Sequence, residues 1–155
     1  MAATFNSYKA YIVNREAPMK RGWGLRNRSS MVRVPYSNSP NSKRIELRSP
    51  DPSGNVYLQM ATYIGMGLQG IREQAEPGTP DQGSTYEGSD AIKLWDTRYL
   101  PRSMYEALVE AERSTFLPKL LGESMYTQYL RLKTEEWEDY RTHVTSREHS
   151  RTLSV

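Results

Sequence analysis

The chain has 155 residues, 37% of them apolar and 25% charged, with no cysteine and a net charge of +3. That length suits one ordinary domain and argues against a multidomain enzyme, while 11 Tyr and 3 Trp argue for a folded chain with a lean core. Without cysteine the chain has no disulfide, thiolate zinc site, iron–sulfur cluster or thiol nucleophile, and no run approaches the ~18 apolar residues of a membrane span.

Charge is unevenly placed. Residues 1–50 carry ten Lys or Arg against two acids, Glu16 and Glu46, for +8, whereas the remainder carries −5. Such a block calls for an anionic partner, either a nucleotide or a nucleic acid, or for an acidic surface elsewhere in the same fold.

Residues 4–48 hold β-branched and aromatic residues in short pieces (Tyr11-Ile12-Val13, Met31-Val32-Arg33-Val34 and Ile45-Glu46-Leu47) separated by Asn, Gly, Ser and Pro. This pattern predicts three or four strands in a partial antiparallel sheet, with residues 35–43 as the clearest loop. From Asn55 to Arg72 the run is too long for a strand, and apolar residues at 57, 60, 61, 64, 68 and 71 keep helical spacing. The expectation is a buried helix within residues 52–74, capped from Asp51-Pro52-Ser53 and packed closely at Gly65, Gly67 and Gly70. Residues 75–90 hold Pro, Gly, Ser and acids with almost nothing apolar, and read as an exposed loop or linker. Residues 91–144 read as a helical hairpin. One arm places Met104, Ala107, Leu108 and Ala111 on a single face, the other Met125, Tyr129, Leu132, Trp137, Tyr140 and Val144, with Gly122 between them. Residues 145–155 read as a polar, frayed tail. The fold class is therefore α+β: a partial sheet, a buried helix and a C-terminal helical hairpin.

In an extended strand Arg44, Glu46 and Arg48 share one face, and Ile45 and Leu47 the other. Neighbours on that face lie about 6.8 Å apart, too far for tight pairing unless side chains bend, but suited to gripping a shared ligand. The guanidiniums would hold phosphate or carboxylate oxygens as fixed forks, and the carboxylate would offer an oxygen to Mg or Mn. The plainer alternative is an exposed ladder of opposite charges on an edge strand. Arg26, Arg28 and Arg33 extend the cationic surface. Because Arg28 and Arg33 have opposite parity, both reach one ligand only across a loop or bulge. Glu16, in Asn14-Arg15-Glu16-Ala17-Pro18, reads as a turn carboxylate. His143 and His149 read as surface residues, and Trp23, Trp95 and Trp137 as core rather than base-stacking platforms.

The order of the motifs adds to this. Asn6-Ser7-Tyr8-Lys9, Glu16-Ala17-Pro18, Arg26-Asn27-Arg28-Ser29 and Arg33-Val34-Pro35 are followed by Arg44-Ile45-Glu46-Leu47-Arg48-Ser49-Pro50-Asp51-Pro52, Asn55-Val56-Tyr57-Leu58 and Gly65-x-Gly67-Leu68-x-Gly70-Ile71. In that order they resemble the C-terminal part of the catalytic domain of glutamine synthetase, most strongly over residues 4–74. The resemblance implies that residues 1–155 are the C-terminal portion of that domain. It also implies ATP-dependent formation of glutamine from glutamate and ammonia through a γ-glutamyl phosphate, with ATP and Mg or Mn as cofactors. Glu16 would be the base taking a proton from ammonium, and Arg28 would contact nucleotide phosphate and stabilise the transferring phosphoryl group. Arg33 and Arg44 would lie on the ATP side, Arg48 would hold the substrate, and Glu46 would ligate metal. Ala10 stands where the family usually has an arginine that helps bind glutamate, which leaves room for a related γ-glutamyl-amine ligase. Members of the family are much longer and form rings of subunits. The expectation is thus a truncated chain, inactive alone, that forms a homo-oligomer or docks to a full-length relative as a non-catalytic assembly or regulatory partner. It would be cytoplasmic, with neither nucleic acid nor membrane as partner.

Overall fold

The computed structural model describes residues 2–12, 15–86 and 98–153, and divides the chain into two compact units, Met1–Ser103 and Met104–Val155. In the first unit, strands β1 (Trp23–Leu25), β2 (Val32–Val34) and β3 (Glu46–Leu47) form one sheet in that order. β2 and β3 pair antiparallel, with Arg33 opposite Glu46, whereas β1 runs parallel to β2, with Gly24 opposite Arg33. The sheet is therefore mixed rather than wholly antiparallel. Parallel neighbours usually need a long crossover. Strands of three residues ask the chain to run back only ~10 Å, which the six residues 26–31 span at ~3.3 Å each. The return starts at Arg26, held in the left-handed region at φ 57°, with its guanidinium 4.8 Å from the centre of the Tyr36 ring. It then folds down onto Gly24, where a Cβ would stand 2.6 Å from Ser30 Oγ and 2.7 Å from Asn27 Cβ.

No strand forms at Tyr11-Ile12. Ser7–Ala10 coil as a 3-10 helix, Tyr11 and Ile12 bend, and Val13 lies outside the described residues. Tyr11 turns inward and donates to the Ser49 carbonyl at 3.1 Å. Tyr8, Pro18, Met19, Ser30 and Tyr99 are buried, and an antiparallel bridge joins Lys20 to Tyr99.

Helix α1 (Val56–Arg72) is capped by Asn55, whose side-chain oxygen accepts from the N–H groups of Tyr57 (3.0 Å) and Leu58 (3.2 Å). Asp51 instead closes a turn ahead of the cap by accepting from Ser53 N. The expected burial is reversed. Tyr57, Met60, Ala61, Ile64, Leu68 and Ile71, the stripe read as inward, are all exposed, and Thr62 is the buried residue of the helix. The helix is anchored along its other edge, where Tyr63 shares a 2.9 Å hydrogen bond with Ser49 and Gln59 donates to the Asp51 carbonyl. Periodicity shows that a stripe exists, but not that this unit supplies anything to cover it. For the same reason a Cβ added at Gly67 or Gly70 would meet nothing within 4 Å beyond the helix's own backbone among the described residues.

The segment after α1, read from sequence as a linker, is attached to the sheet as far as residue 86; residues 87–90 lie outside the described residues, as does Trp95. Trp23 Nε1 donates to the Gly78 carbonyl, Asp81 N to the Trp23 carbonyl, and Ser30 Oγ to Asp81. Asn27 donates to the Gly83 carbonyl, and Thr85 bonds Ser29 twice at 2.7 Å.

In the second unit the hairpin is built from α2 (Met104–Glu112) and α4 (Glu123–Thr142), with α3 (Leu117–Leu121) between them and packed on α4. Gly122, at φ 78°, makes the joint from α3 to α4. Met104 and Leu108 are buried, Trp137 lies between the rings of Tyr105 and Tyr140, and Tyr126 donates to the Ala111 carbonyl. Met125, Leu132 and Val144 are exposed, contrary to the single-face expectation. At 1.5 Å per residue α4 is ~30 Å long and α2 only ~13 Å, too short to cover it. Residues Ser146–Thr152, expected to fray, form helix α5, started by a capping box between Thr145 and Glu148.

Candidate functional site

Glu16, Arg28, Arg33, Glu46, Arg48 and Tyr86 line one cleft of about 320 Å³ in the first unit, the low end of the range typical of small-ligand sites. Three local features build it. The β2–β3 register sets Arg33 directly across from Glu46. The 26–31 turn supplies the break that parity required, so that Arg28 reaches the same side as Arg33. The chain after β3 places Arg48 two residues beyond Glu46, on the same face.

Glu46 is held from both sides. Arg33 donates to its Oε2 at 2.7 Å and Arg48 Nε approaches its Oε1 at 3.1 Å. The 46–48 pair thus closes by the side-chain bending that strand spacing demanded. The hydrogen bond from Arg33, reinforced by the charges of Arg33, Arg48 and Arg28 against a smaller opposing desolvation, holds the Glu46 carboxyl below its ordinary range. Arg48 also donates through Nη1 to Tyr86 Oη at 3.0 Å and through Nη2 to the Glu16 carbonyl at 3.3 Å. The Tyr86 hydroxyl stands 2.6 Å from the Arg28 carbonyl and 2.8 Å from the Glu16 carbonyl, and can donate to one of them at a time. Among the described residues Arg33 Nε is enclosed and has no acceptor.

Five of the residues singled out from sequence, Glu16, Arg28, Arg33, Glu46 and Arg48, therefore come together, and Arg44 does not. It precedes β3, is exposed and donates to the Ser42 carbonyl at 3.1 Å. Ala10 is exposed at the end of its 3-10 helix and is not part of the cleft lining. Tyr86 is the lining residue that sequence reasoning passed over. A lone aromatic among the Pro, Gly and Ser of residues 75–90 was its one visible signal.

The donor set favours an anion. Arg28, Arg33 and Arg48 outnumber Glu16 and Glu46 in the lining, where Glu16 makes its hydrogen bonds through its backbone carbonyl, and guanidinium forks match phosphate and carboxylate oxygens. A divalent cation fits less well, because each oxygen of Glu46 already accepts from an arginine and Mg takes about six oxygens. Among the described residues no three His, Asp or Glu cluster as a metal site, and no helix is long and apolar enough to cross a membrane.

Comparison with known proteins settles the family. The profile of the glutamine synthetase catalytic domain matches residues 1–152. The chain belongs to this family. A glutamine synthetase of Methanosarcina mazei is 39% identical over 151 residues, which cover 97% of this chain and 34% of that protein. One of Mycolicibacterium smegmatis is 37% identical over 153 residues, again 97% of this chain and 34% of the relative. Among solved structures, a GmaS–ADP complex superposes with a TM-score of 0.80 at 30% identity, over 98% of this chain and 35% of that one. Plasmodium falciparum glutamine synthetase gives 0.78 at 24% identity, over 96% and 37%, a likeness of fold. The chain thus spans about a third of the length of its glutamine synthetase relatives.

Proposed function

We propose that the cleft is the arginine-rich part of a glutamine synthetase-type ligase site, one that binds the phosphates of ATP beside the carboxylate to be activated. The observation that carries this reading is the convergence of Arg28, Arg33 and Arg48 with Glu16 and Glu46 on a single cleft. The GmaS relative solved with ADP supports a nucleotide as the ligand. In the proposed reaction an oxygen of the acceptor γ-carboxylate attacks the terminal phosphorus of ATP and the bond to ADP breaks. Ammonia then attacks the acyl carbon and phosphate leaves. Arg28 and Arg33 would take the charge that develops on the transferring group. Arg48 would hold the acyl phosphate as it forms, and Glu16 would accept the proton lost by ammonium. Arg44 would join on the nucleotide side by giving up the Ser42 carbonyl. Glu46 would contribute at most one ligand to Mg or Mn, the others coming from outside the described residues.

Residues 1–155 would on this reading act as the C-terminal portion of the catalytic domain, in the cytoplasm, within a homo-oligomer or docked to a full-length relative. The uncovered stripe of α1 supports such an association. Ala10 favours a second reading, in which the acceptor or amine differs from glutamate or ammonia and the enzyme is a γ-glutamyl-amine ligase. The test is ATP binding by the full chain, together with γ-glutamyl hydroxamate formation from glutamate and hydroxylamine in Mg or Mn. Binding without turnover is expected, since the donors described here suit an anion better than a metal. Arg28→Gln or Arg33→Gln should weaken ATP by about 10- to 100-fold, the scale of a charged hydrogen bond. Absence of ATP binding, or indifference to both substitutions, would refute the reading. In any preparation that turns over, comparing alkylamines with ammonia as the attacking amine separates the two ligases.

A further inference from the structure

The Tyr86 hydroxyl joins three parts of the cleft that are distant in sequence. It accepts from the Arg48 side chain at 3.0 Å and lies within hydrogen-bond distance of the backbone carbonyls of Arg28 and Glu16, 58 and 70 residues away. Arg48 reaches the same Glu16 carbonyl directly, so hydroxyl, guanidinium and carbonyl close a small ring. Residue 85 next door is fixed to Ser29 by two further hydrogen bonds, which sets the tyrosine's place independently of its hydroxyl.

We propose that Tyr86 is a positioning residue of this site: its hydroxyl holds the Arg48 guanidinium, and the backbone beneath Glu16 and Arg28, in the arrangement that meets an oligophosphate. The proposal rests on the phosphate-binding reading of the cleft. An arginine freed at one end keeps its charge but must be ordered when the ligand arrives, and that ordering weakens binding. Loss of the hydroxyl should therefore lower affinity without removing a charge.

The test uses the full chain and three substitutions, with inorganic tripolyphosphate as probe. Tyr86→Phe removes the hydroxyl and keeps the ring, Thr85→Val loosens the same segment without touching the hydroxyl, and Arg48→Lys assigns the Arg48 signals. The first readout needs no ligand. The Arg48 Nη–Hη resonances are well separated while both Nη groups are held and draw together as the guanidinium turns more readily, so they should draw together in Tyr86→Phe, where the Nη2 bond to the Glu16 carbonyl remains, and stay separate in Thr85→Val. The second is tripolyphosphate affinity, expected to fall about fivefold in Tyr86→Phe, the scale of ordering one long side chain on binding, and to change less in Thr85→Val. Unchanged Arg48 resonances in Tyr86→Phe would overturn the proposal, as would equal effects of the two substitutions on resonances and affinity, which would mark the contact as general support of the fold. If wild-type chain ignores tripolyphosphate while the resonances still draw together in Tyr86→Phe, the hold on Arg48 stands and the phosphate reading falls.

Discussion

Glu46 lies between two guanidiniums, and its hydrogen bond from Arg33 keeps it ionised to lower pH than a free glutamate. The sign of the resulting pH dependence follows. A carboxyl whose folded pKa is lowered adds stability above the unfolded value of about 4.3, and that stability is lost as pH falls through the folded value. The difference in denaturation midpoint between wild type and Glu46→Gln should thus be full at pH 6 and shrink as pH drops below about 4. Because the Glu46 side chain is 41% exposed, the effect is that of a surface pair, about 1 kcal/mol or less. A gap that widened on acidification would contradict the geometry. Gly24 makes a second residue-scale prediction. Gly24→Ala should destabilise by about 1–3 kcal/mol in denaturant unfolding, because its methyl would press on Ser30 and Asn27 at less than 3 Å.

The main strands and helices were legible from sequence where their cause is local. Alternation around Arg33 and Glu46 located β2 and β3, and 3.6-residue spacing located α1 and the hairpin arms. What local reading could not supply was partnership. The parallel placing of β1 depends on how short the strands are, and the covering of α1 depends on which face meets Ser49 and Asp51. The site divides the same way: five of its lining residues stand in recognisable local motifs, whereas Tyr86 acts through hydrogen bonds to residues 38 to 70 positions away. Helix α5 shows the reverse, since a local rule was present in Thr145 and Glu148 and was outweighed by polar composition. Thr145→Ala should cost that helix about 1 kcal/mol, seen as faster amide exchange over residues 148–152 with the amides of α2 unchanged.

For the whole molecule, α1 leaves Met60, Ile64 and Leu68 each about half exposed on one stripe, and contiguous exposed apolar residues of this kind mark association surfaces. Met60→Glu with Ile64→Lys should therefore leave the unfolding free energy within about 0.5 kcal/mol of wild type, while reducing binding of a hydrophobic dye and any self-association measured by sedimentation. A large loss of stability would show that the stripe is covered in the chain as it exists in solution.

The segment that crosses back to Ser29 and Arg28 also carries a consequence for how the protein is made. On a ribosome, the turn bearing Arg28 emerges 58 residues before the hydroxyl that contacts its carbonyl. Contacts this distant in sequence form late, because the intervening chain must be closed first. The nascent polypeptide therefore displays its cationic stretch with no finished cleft until residue 86 has been synthesised and released from the exit tunnel.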